Sequence, residues 1–328
     1  MLQARPLYDN VADAKYFVRP SAWATLMRAL ERRLNVLLTG ERGAGKTTLL
    51  RQLQSTLRTE GHNIVFVDAT ALESSLDLVR RIRDALRGQP SSAQEGSATL
   101  TATALPDAAP VAGASRALQA ELRAVGEAEP ATVLVDASDA GNAVYEVFGR
   151  LRDTLWQFEH LWLVAVDEDE RATALRPPAD SFFDVVVGLG RLSSDELTTL
   201  LELRSSDSSR STLRLVAENA RGNPRRAIRA LGDAFARGAD PASTLAARSQ
   251  LETQASTIGR PHGMLMAELL ERGQASASDD AVQRSLGITR ARLNQLLREL
   301  LDHKLVIQDV EAPSGPGRPR TIYRPALR

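Results

Sequence analysis

One glycine-rich segment has residue types and spacing suited to binding phosphate. Residues 40–47 read Gly-Glu-Arg-Gly-Ala-Gly-Lys-Thr, a G-x-x-x-x-G-K-T pattern. Glycines let backbone N–H groups wrap around phosphate oxygens, the lysine ammonium reaches the β and γ phosphates, and the threonine hydroxyl binds Mg²⁺. The pattern therefore predicts a site for ATP and Mg²⁺, with Thr47 on the metal. The predicted nucleotide-binding residues are Gly40, Gly43, Gly45, Lys46, Thr47 and Thr48.

A phosphate site of this kind also needs acidic side chains. One carboxylate holds Mg²⁺, and a second often orients the water that attacks the γ-phosphate. Two acidic positions follow apolar runs: Asp136 in TVLVDASD, and Asp167 with Glu168 in LWLVAVDEDE. From the residues alone, Asp136 and the pair Asp167 and Glu168 remain alternatives for the metal carboxylate.

The elements that must position these residues are visible as short apolar runs in the first 190 residues. The runs are continuous rather than alternating, which is typical of parallel strands covered on both faces. Segments with helical periodicity separate them, so an α/β fold with a five-stranded parallel sheet is predicted. The predicted strands are Asn35–Thr39, Asn63–Asp68, Thr132–Asp136, Leu161–Asp167 and Asp184–Leu189.

The character of the sequence changes twice after the last of these runs. Strands are absent from 192–256, which predicts a helical lid domain, and residues 257–328 predict a winged helix-turn-helix domain. Residues 1–191 then form the nucleotide-binding core. Within the core, segment 88–115 is rich in Ser, Ala, Pro and Gly and is predicted to be a mobile insertion.

The predicted winged helix domain carries polar side chains suited to reading duplex DNA. Ser278 and Thr289 are predicted to cap its second and third helices. On the third helix, leucines form an apolar stripe and polar residues lie opposite, where Asn or Gln can pair with adenine and Arg with guanine. A basic segment without acidic residues follows at 312–328. The predicted DNA-binding residues are Thr289, Arg290, Asn294, Gln295, Arg298, Arg318 and Arg320.

The composition of the chain limits which kinds of partner and which kinds of chemistry are open to it. Lys plus Arg equals Asp plus Glu at 41 each, so any attraction to DNA must come from a local patch. Cysteine is absent, which excludes disulfides, thiolate metal sites and cysteine catalysis and agrees with a reducing cytosol. No apolar run approaches the ~18 residues needed to cross a bilayer. The expectation is a soluble, cytoplasmic protein without a membrane partner.

The order of motifs resembles the AAA+ ATPases. In that family a P-loop strand is followed by a second strand, the Walker B strand, the sensor-1 strand, a fifth strand and a helical lid. The resemblance implies that Asp136 is the Mg²⁺ carboxylate. The family usually has glutamate at the next position, where this chain has Ala137. Three options follow: Asp139 takes the role of the glutamate, Glu168 takes it, or the protein mostly binds ATP and hydrolyses it slowly. The expected rate of ATP hydrolysis is low.

A second segment, Arg221–Ile228 (RGNPRRAI), resembles the sensor-2 helix of AAA+ lids, especially in the origin-recognition initiators. The resemblance implies that Arg225 contacts the γ-phosphate. Asn223 can cap this helix and Pro224 suits its first position. An arginine finger acting on a neighbouring subunit is expected between the fourth and fifth strands, where Arg171 and Arg176 are the alternatives.

Taken over the whole chain, the domain order resembles that of the archaeal and eukaryotic origin-recognition ATPases. This implies a DNA-binding AAA+ ATPase whose ATP or ADP state controls binding or assembly on duplex DNA. Expected partners are duplex DNA and either further copies of the chain or other ATPase subunits. The alternative is a nucleotide-switched transcription regulator similar to the STAND ATPases, in which ATP turnover is incidental.

Overall fold

The computed structural model describes residues 14–70, 72, 74–88, 110–205, 208–238, 241–311 and 320–327. The chain divides into two compact units, and the division falls between Leu192 and Ser193. The second unit contains both the predicted lid and the predicted winged helix domain. The three-domain boundaries remain predictions.

The first unit is built on a five-stranded parallel sheet in the order β2-β3-β4-β1-β5. This confirms the predicted fold class. Leu37 packs on one face of the sheet with an apolar cluster around Phe148 and Trp162, whereas Leu38 packs on the opposite face with Leu50. Apolar residues succeed one another along the strands because both faces are covered. The strands are β1 (Val36–Gly40), β2 (Ile64–Asp68), β3 (Thr132–Asp136), β4 (Leu161–Asp167) and β5 (Val185–Leu189).

Seven α-helices accompany this sheet in the described residues. A π-helical segment, Tyr145–Arg150, joins the fifth and sixth, and 3₁₀ turns occupy Ala14–Tyr16 and Ala179–Ser181. Residues 110–115 of the predicted insertion belong to the fourth helix, and 89–109 lie outside the described residues. The helices are α1 (Ala22–Glu31), α2 (Lys46–Thr59), α3 (Ser75–Leu86), α4 (Pro110–Gly126), α5 (Gly141–Val144), α6 (Arg152–Leu155) and α7 (Arg171–Ala174).

The second unit begins with helices and ends in a helix-turn-helix with an antiparallel strand pair, the arrangement of a winged helix. The predicted wing strands are confirmed, and Arg318 between them lies outside the described residues. None of the described helices is long and apolar enough to span a bilayer. The elements are α8 (Ser194–Arg204), α9 (Arg210–Asn219), α10 (Pro224–Arg237), α11 (Pro241–Ile258), α12 (Arg260–Arg272), α13 (Asp280–Leu286), α14 (Arg290–Asp302), β6 (Val306–Glu311) and β7 (Arg320–Pro325).

Of the two helix caps predicted in the winged helix, one is confirmed and one is wrong. Thr289 accepts a hydrogen bond from the Arg292 N–H at the start of α14, as predicted. The predicted cap of α13 is wrong, since Asp279 caps that helix and Ser278 bonds Ser276 instead. Serine and aspartate cap helices about equally well, and here the contact with Ser276 engages Ser278 and leaves the cap to Asp279.

Candidate nucleotide site and nucleic-acid interface

The phosphate-binding loop runs from the end of β1 to the start of α2. Gly43 (φ +84°) and Gly45 (φ +105°) adopt left-handed backbone conformations that disfavour other residues. A Cβ at Gly45 would meet no atom within 4 Å, so backbone conformation rather than space requires glycine there. The first N–H groups of α2 have no partner within the helix and can bind an anion at this end.

Lys46 makes three contacts through its ammonium group. Its Nζ donates hydrogen bonds to the carbonyl oxygens of Gly40 (2.9 Å) and Glu41 (3.2 Å) and forms an ion pair with Asp167 Oδ1 at 2.5 Å. The residue is only 4% exposed. The ammonium is thus held at the carboxyl edge of the sheet, against the backbone of the loop that is predicted to bind phosphate.

The two residues predicted to bind Mg²⁺ are in contact. The Thr47 hydroxyl donates a hydrogen bond to Asp136 Oδ2, while Ser138 donates to Asp136 Oδ1 at 2.8 Å. Asp136 is buried at the end of β3. Hydroxyl and carboxylate oxygens are the ligands that Mg²⁺ prefers, so this pair fits the ion.

Asp167, at the end of β4, lies in register with Gly40 of β1. Burial raises the pKa of its carboxyl, and the neighbouring Lys46 ammonium opposes that rise. Glu168 is exposed and pairs with Arg171 at 3.2 Å. The carboxylate that contacts Lys46 is therefore Asp167, which the sequence suggested only as an alternative metal ligand.

Ala137 occupies a fully buried position in the apolar cluster on the Phe148 face of the sheet. Its N–H donates to the Ala165 carbonyl oxygen at 2.8 Å. Asp139, two residues later, is exposed. The residue after Asp136 is thus a packing residue in this chain.

Two acidic residues near the site were missed in the sequence. The Glu170 carboxylate accepts a hydrogen bond from the Gly141 N–H at the start of α5. Burial, followed by the nearby Asp169, raises the pKa of Glu170. Glu41 in the loop pairs with Arg191 at 2.5 Å. These contacts join positions far apart in sequence, so the sequence alone does not indicate them. The acidic run after β4 was the one local pattern that pointed to this region.

Comparison with known proteins identifies the segment that carries most of this site. Residues 28–153 match a protein family described as an AAA domain. This segment is an AAA domain. Curated proteins show no significant match to the chain.

Solved structures with the same fold cover nearly the whole chain. The Aeropyrum pernix ORC1 protein in complex with DNA is 15% identical, with a TM-score of 0.51 over 97% of this chain and 92% of that chain. Cdc6p from Pyrobaculum aerophilum is 14% identical, with a TM-score of 0.51 over 96% and 94% of the two chains. The AAA domain, the helices after it and the terminal winged helix therefore occur together in known folds.

Helix α10 lies after the segment that matches the AAA domain, and its two neighbouring arginines differ in exposure and in bonding. Asn223 caps the helix by accepting from the Arg226 N–H at 3.2 Å, and Pro224 is its first residue, as predicted. Arg226 pairs with Glu252 at 2.7 Å, whereas Arg225 is exposed. Arg225 is thus the arginine of this pair that points toward solvent.

The two arginine-finger alternatives both lie after β4. Arg171 forms the ion pair with Glu168, and Arg176 stacks over the Tyr145 ring at 3.8 Å. Both arginines are exposed. Exposure therefore does not distinguish the two alternatives.

The outward face of α14 contains exposed Arg298 and half-buried Asn294. Gln295 is engaged within the protein, since it accepts from Arg292 and donates to Glu299, each at 2.8 Å. The apolar stripe predicted on the opposite face is fully buried. Its members are Leu293, Leu296, Leu297 and Leu300.

The side of α14 next to α12 is held by His262, whose Nε2 lies 2.5 Å from Glu299 Oε2. This hydrogen bond lowers the pKa of Glu299. Arg290 at the start of α14 and Arg320 at the start of β7 are exposed. Gln295 is thus exposed but hydrogen-bonded to two neighbours on its own helix, whereas Arg290, Arg298 and Arg320 are exposed and Asn294 is half-buried.

Proposed function

We propose that the protein is a DNA-binding AAA+ ATPase whose ATP or ADP state controls its binding or assembly on duplex DNA. The observation that carries the proposal is the exposed polar face of α14, in a chain whose AAA domain brings Lys46, Thr47 and Asp136 together. The AAA domain would bind nucleotide, and the polar face of α14 would bind nucleic acid.

In the nucleotide site, Lys46 would bind the β and γ phosphates, and Thr47 with Asp136 would hold Mg²⁺. The ion neutralises charge on the phosphates when it is bound. Arg225 is the proposed γ-phosphate sensor, supported by its exposure at the start of α10. Arg171 or Arg176 would serve the site of a neighbouring subunit in an assembly.

In the DNA site, Arg298 and Asn294 would read base edges in the major groove, since their side chains offer paired donors and acceptors. Thr289 and Arg290 would contact the backbone at the start of the helix. The wing arginines Arg318 and Arg320 would contact phosphates or a narrow minor groove. A relative with the same fold, the Aeropyrum pernix ORC1 protein, was solved in complex with DNA, which supports this assignment.

A second candidate is a nucleotide-switched transcription regulator with little ATP turnover. The buried Ala137 favours it, because the usual water-orienting glutamate is absent from that position. Hydrolysis measured with and without duplex DNA separates the two. Turnover that DNA stimulates favours the ATPase, and turnover near zero in both conditions favours the regulator.

The central experiment is a titration of fluorescently labelled duplex DNA with the full chain in ATP, in ADP and without nucleotide. We expect affinity or stoichiometry to differ between ATP and ADP, and we expect Lys46→Ala to behave as nucleotide-free protein under all three conditions. Lys15→Ala, an exposed lysine change, is the control. Identical binding in all three conditions, or no binding at low salt, would refute the proposal.

A further inference from the structure

A series of hydrogen bonds runs from α12 to the outward face of α14 and includes a glutamine suited to reading DNA. We propose that His262, acting through Glu299, positions the Gln295 amide so that it selects adenine in duplex DNA. His262 is then a positioning residue for sequence recognition. This inference rests on the proposed DNA-binding function and adds to it a source of base preference.

The series begins at His262 on α12, a residue that is 6% exposed. Its Nε2 lies 2.5 Å from Glu299 Oε2, and because an ionised carboxylate can only accept, Nε2 carries the proton and donates it. The other ring nitrogen, Nδ1, has no hydrogen-bond partner in the described part of the chain. Among the described residues, the contact with Glu299 is therefore the one hydrogen bond of this imidazole.

Glu299 connects His262 to the outward face of α14. Its second oxygen, Oε1, accepts from Gln295 Nε2 at 2.8 Å. The hydrogen bonds from His262 and Gln295 lower the pKa of Glu299, so this group is a carboxylate at neutral pH and can only accept. Both oxygens are thus in use, one toward α12 and one toward Gln295, and together these bonds orient the carboxylate.

The Gln295 amide has one orientation that suits both of its neighbours. Arg292 can only donate and Glu299 can only accept, so the amide oxygen faces Arg292 and the amide nitrogen faces Glu299. The reverse orientation would place the nitrogen against a guanidinium and the oxygen against a carboxylate. The orientation of this exposed amide is therefore set before DNA binds, which reduces the conformational entropy lost on binding.

The two contacts leave half of the hydrogen-bonding capacity of the amide for DNA. A glutamine amide has two N–H groups and two oxygen lone pairs, and Gln295 uses one of each within α14. The remaining N–H and the remaining lone pair match the N7 acceptor and the N6–H donor of adenine in the major groove. Guanine presents two acceptors, N7 and O6, so there the lone pair would face another acceptor. The groups that stay free therefore favour adenine.

The test begins with selection of binding sites by the full chain from a library of randomised duplexes. Affinity is then measured for the selected duplex and for its single-base variants. For wild-type protein we expect one position at which adenine is preferred over guanine by about 5- to 100-fold, the usual range for one bidentate contact. Gln295→Ala should lose the preference at that position alone. Gln254→Ala, a change of an exposed glutamine on α11, is the control and should match the wild type.

Two substitutions of His262 differ in where they place an amide. The side-chain nitrogen of His262→Gln is as many bonds from Cα as the imidazole Nε2, so it can donate to Glu299, whereas that of His262→Asn is one bond short. We expect His262→Gln to keep the adenine preference and His262→Asn to lose it. Affinity for the duplex with guanine at that position should stay near the wild-type value in both. A residue that only stabilised the fold would change affinity for both duplexes alike.

Glu299→Gln tests the same contact from α14. The Glu299 side chain is 35% exposed, so this variant should fold even if the His262 variants do not. A neutral amide can donate as well as accept, and the orientation of Gln295 is then no longer fixed. We expect the adenine preference to fall while affinity for other duplexes stays equal or rises, because a negative charge has been removed from the DNA-binding helix.

An adenine preference that survives in Glu299→Gln, or in folded His262→Asn, would overturn the inference. So would a preference that is absent from the wild type or independent of Gln295, an equal loss of affinity for all duplexes in the variants, or loss of the preference in folded His262→Gln. In each of these cases DNA binding itself is still observed and the proposed function stands. Failure of wild-type protein to bind DNA, even at low salt, would instead refute the proposed function together with this inference.

Discussion

At the scale of single residues, Lys46 is the side chain on which we expect the proposed nucleotide site to depend most. Charge-assisted hydrogen bonds contribute about 1.5–3 kcal/mol each, so we expect Lys46→Ala to weaken ATP binding by at least about 100-fold. Calorimetric titration with ATP measures this. The sheet should stay folded, because β1 and β4 remain buried and paired without the ammonium. Unchanged affinity would refute the assignment of the loop.

Glu170 provides a prediction about pH. Its pKa is raised in the folded protein, so the native state binds a proton more readily than the unfolded chain. The stability that Glu170 contributes is therefore present below its ordinary pKa and is lost as the pH rises through the raised value. Relative to wild type, Glu170→Gln should become more stable as the pH increases from 4 to 8, as measured by urea denaturation. A constant difference would contradict this interpretation.

What could be predicted for residues depended on whether the signal was local. The spacing from Gly40 to Thr47 identified the loop, and the resemblance of the strand order to that of the AAA+ ATPases implied the role of Asp136. The contact between Asp167 and Lys46 joins positions 121 residues apart, and one sequence contains no signal for it. The burial of Ala137 is likewise a result of packing across the sheet.

At the scale of elements, the start of α13 tests how the helix-turn-helix is stabilised. Asp279 caps this helix through two N–H groups, those of Ala281 and Val282. We expect Asp279→Ala to lower the free energy of unfolding by about 0.5–2 kcal/mol, the usual cost of losing a cap. Ser278→Ala is the matched control and should have little effect. A larger loss of stability in Ser278→Ala than in Asp279→Ala, measured by denaturant titration, would contradict the assignment of the cap.

The outward face of α14 carries a prediction about specificity. Arg298→Ala or Asn294→Ala should cost about 1–3 kcal/mol at the preferred DNA site and little at other sequences. Arg214→Ala, on α9, is the control. Binding-site selection followed by affinity measurement checks this. An equal loss at all sequences would show that these residues contact phosphate instead of base edges.

Elements were easier to predict than their caps. Five apolar runs gave five strands with shifts of one residue at some ends, since burial on both faces leaves a strong pattern in the sequence. Serine and aspartate both cap helices, so Ser278 and Asp279 could not be ranked without knowing that Ser278 bonds Ser276. The helical start at Pro110 was missed because its flanking composition indicates a loop.

At the scale of the whole molecule, the formal net charge is zero, so the proposed DNA affinity would depend on a few local arginines. Replacing Arg318 and Arg320 with alanine should weaken binding to many sequences. It should also reduce the slope of log affinity against log salt by about 1 for each phosphate that the variant no longer neutralises. Lysine at both positions keeps the charge and should preserve the slope. A slope unchanged by the alanine variant would exclude the wing from the DNA interface.

The strand order also determines when the nucleotide site can form during synthesis. In the described sheet, β1 hydrogen-bonds to β4 and β5, and β3 is connected to β1 only through β4. Strands β2 and β3 are synthesised before β4, but neither of them pairs with β1. The phosphate-binding loop therefore stands on an unpaired strand until Asp167 has emerged. A shorter nascent chain exposes Val36–Gly40 as an apolar strand with free edges, a template for misassembly. Nucleotide can first stabilise the growing polypeptide only after the fourth strand has been translated.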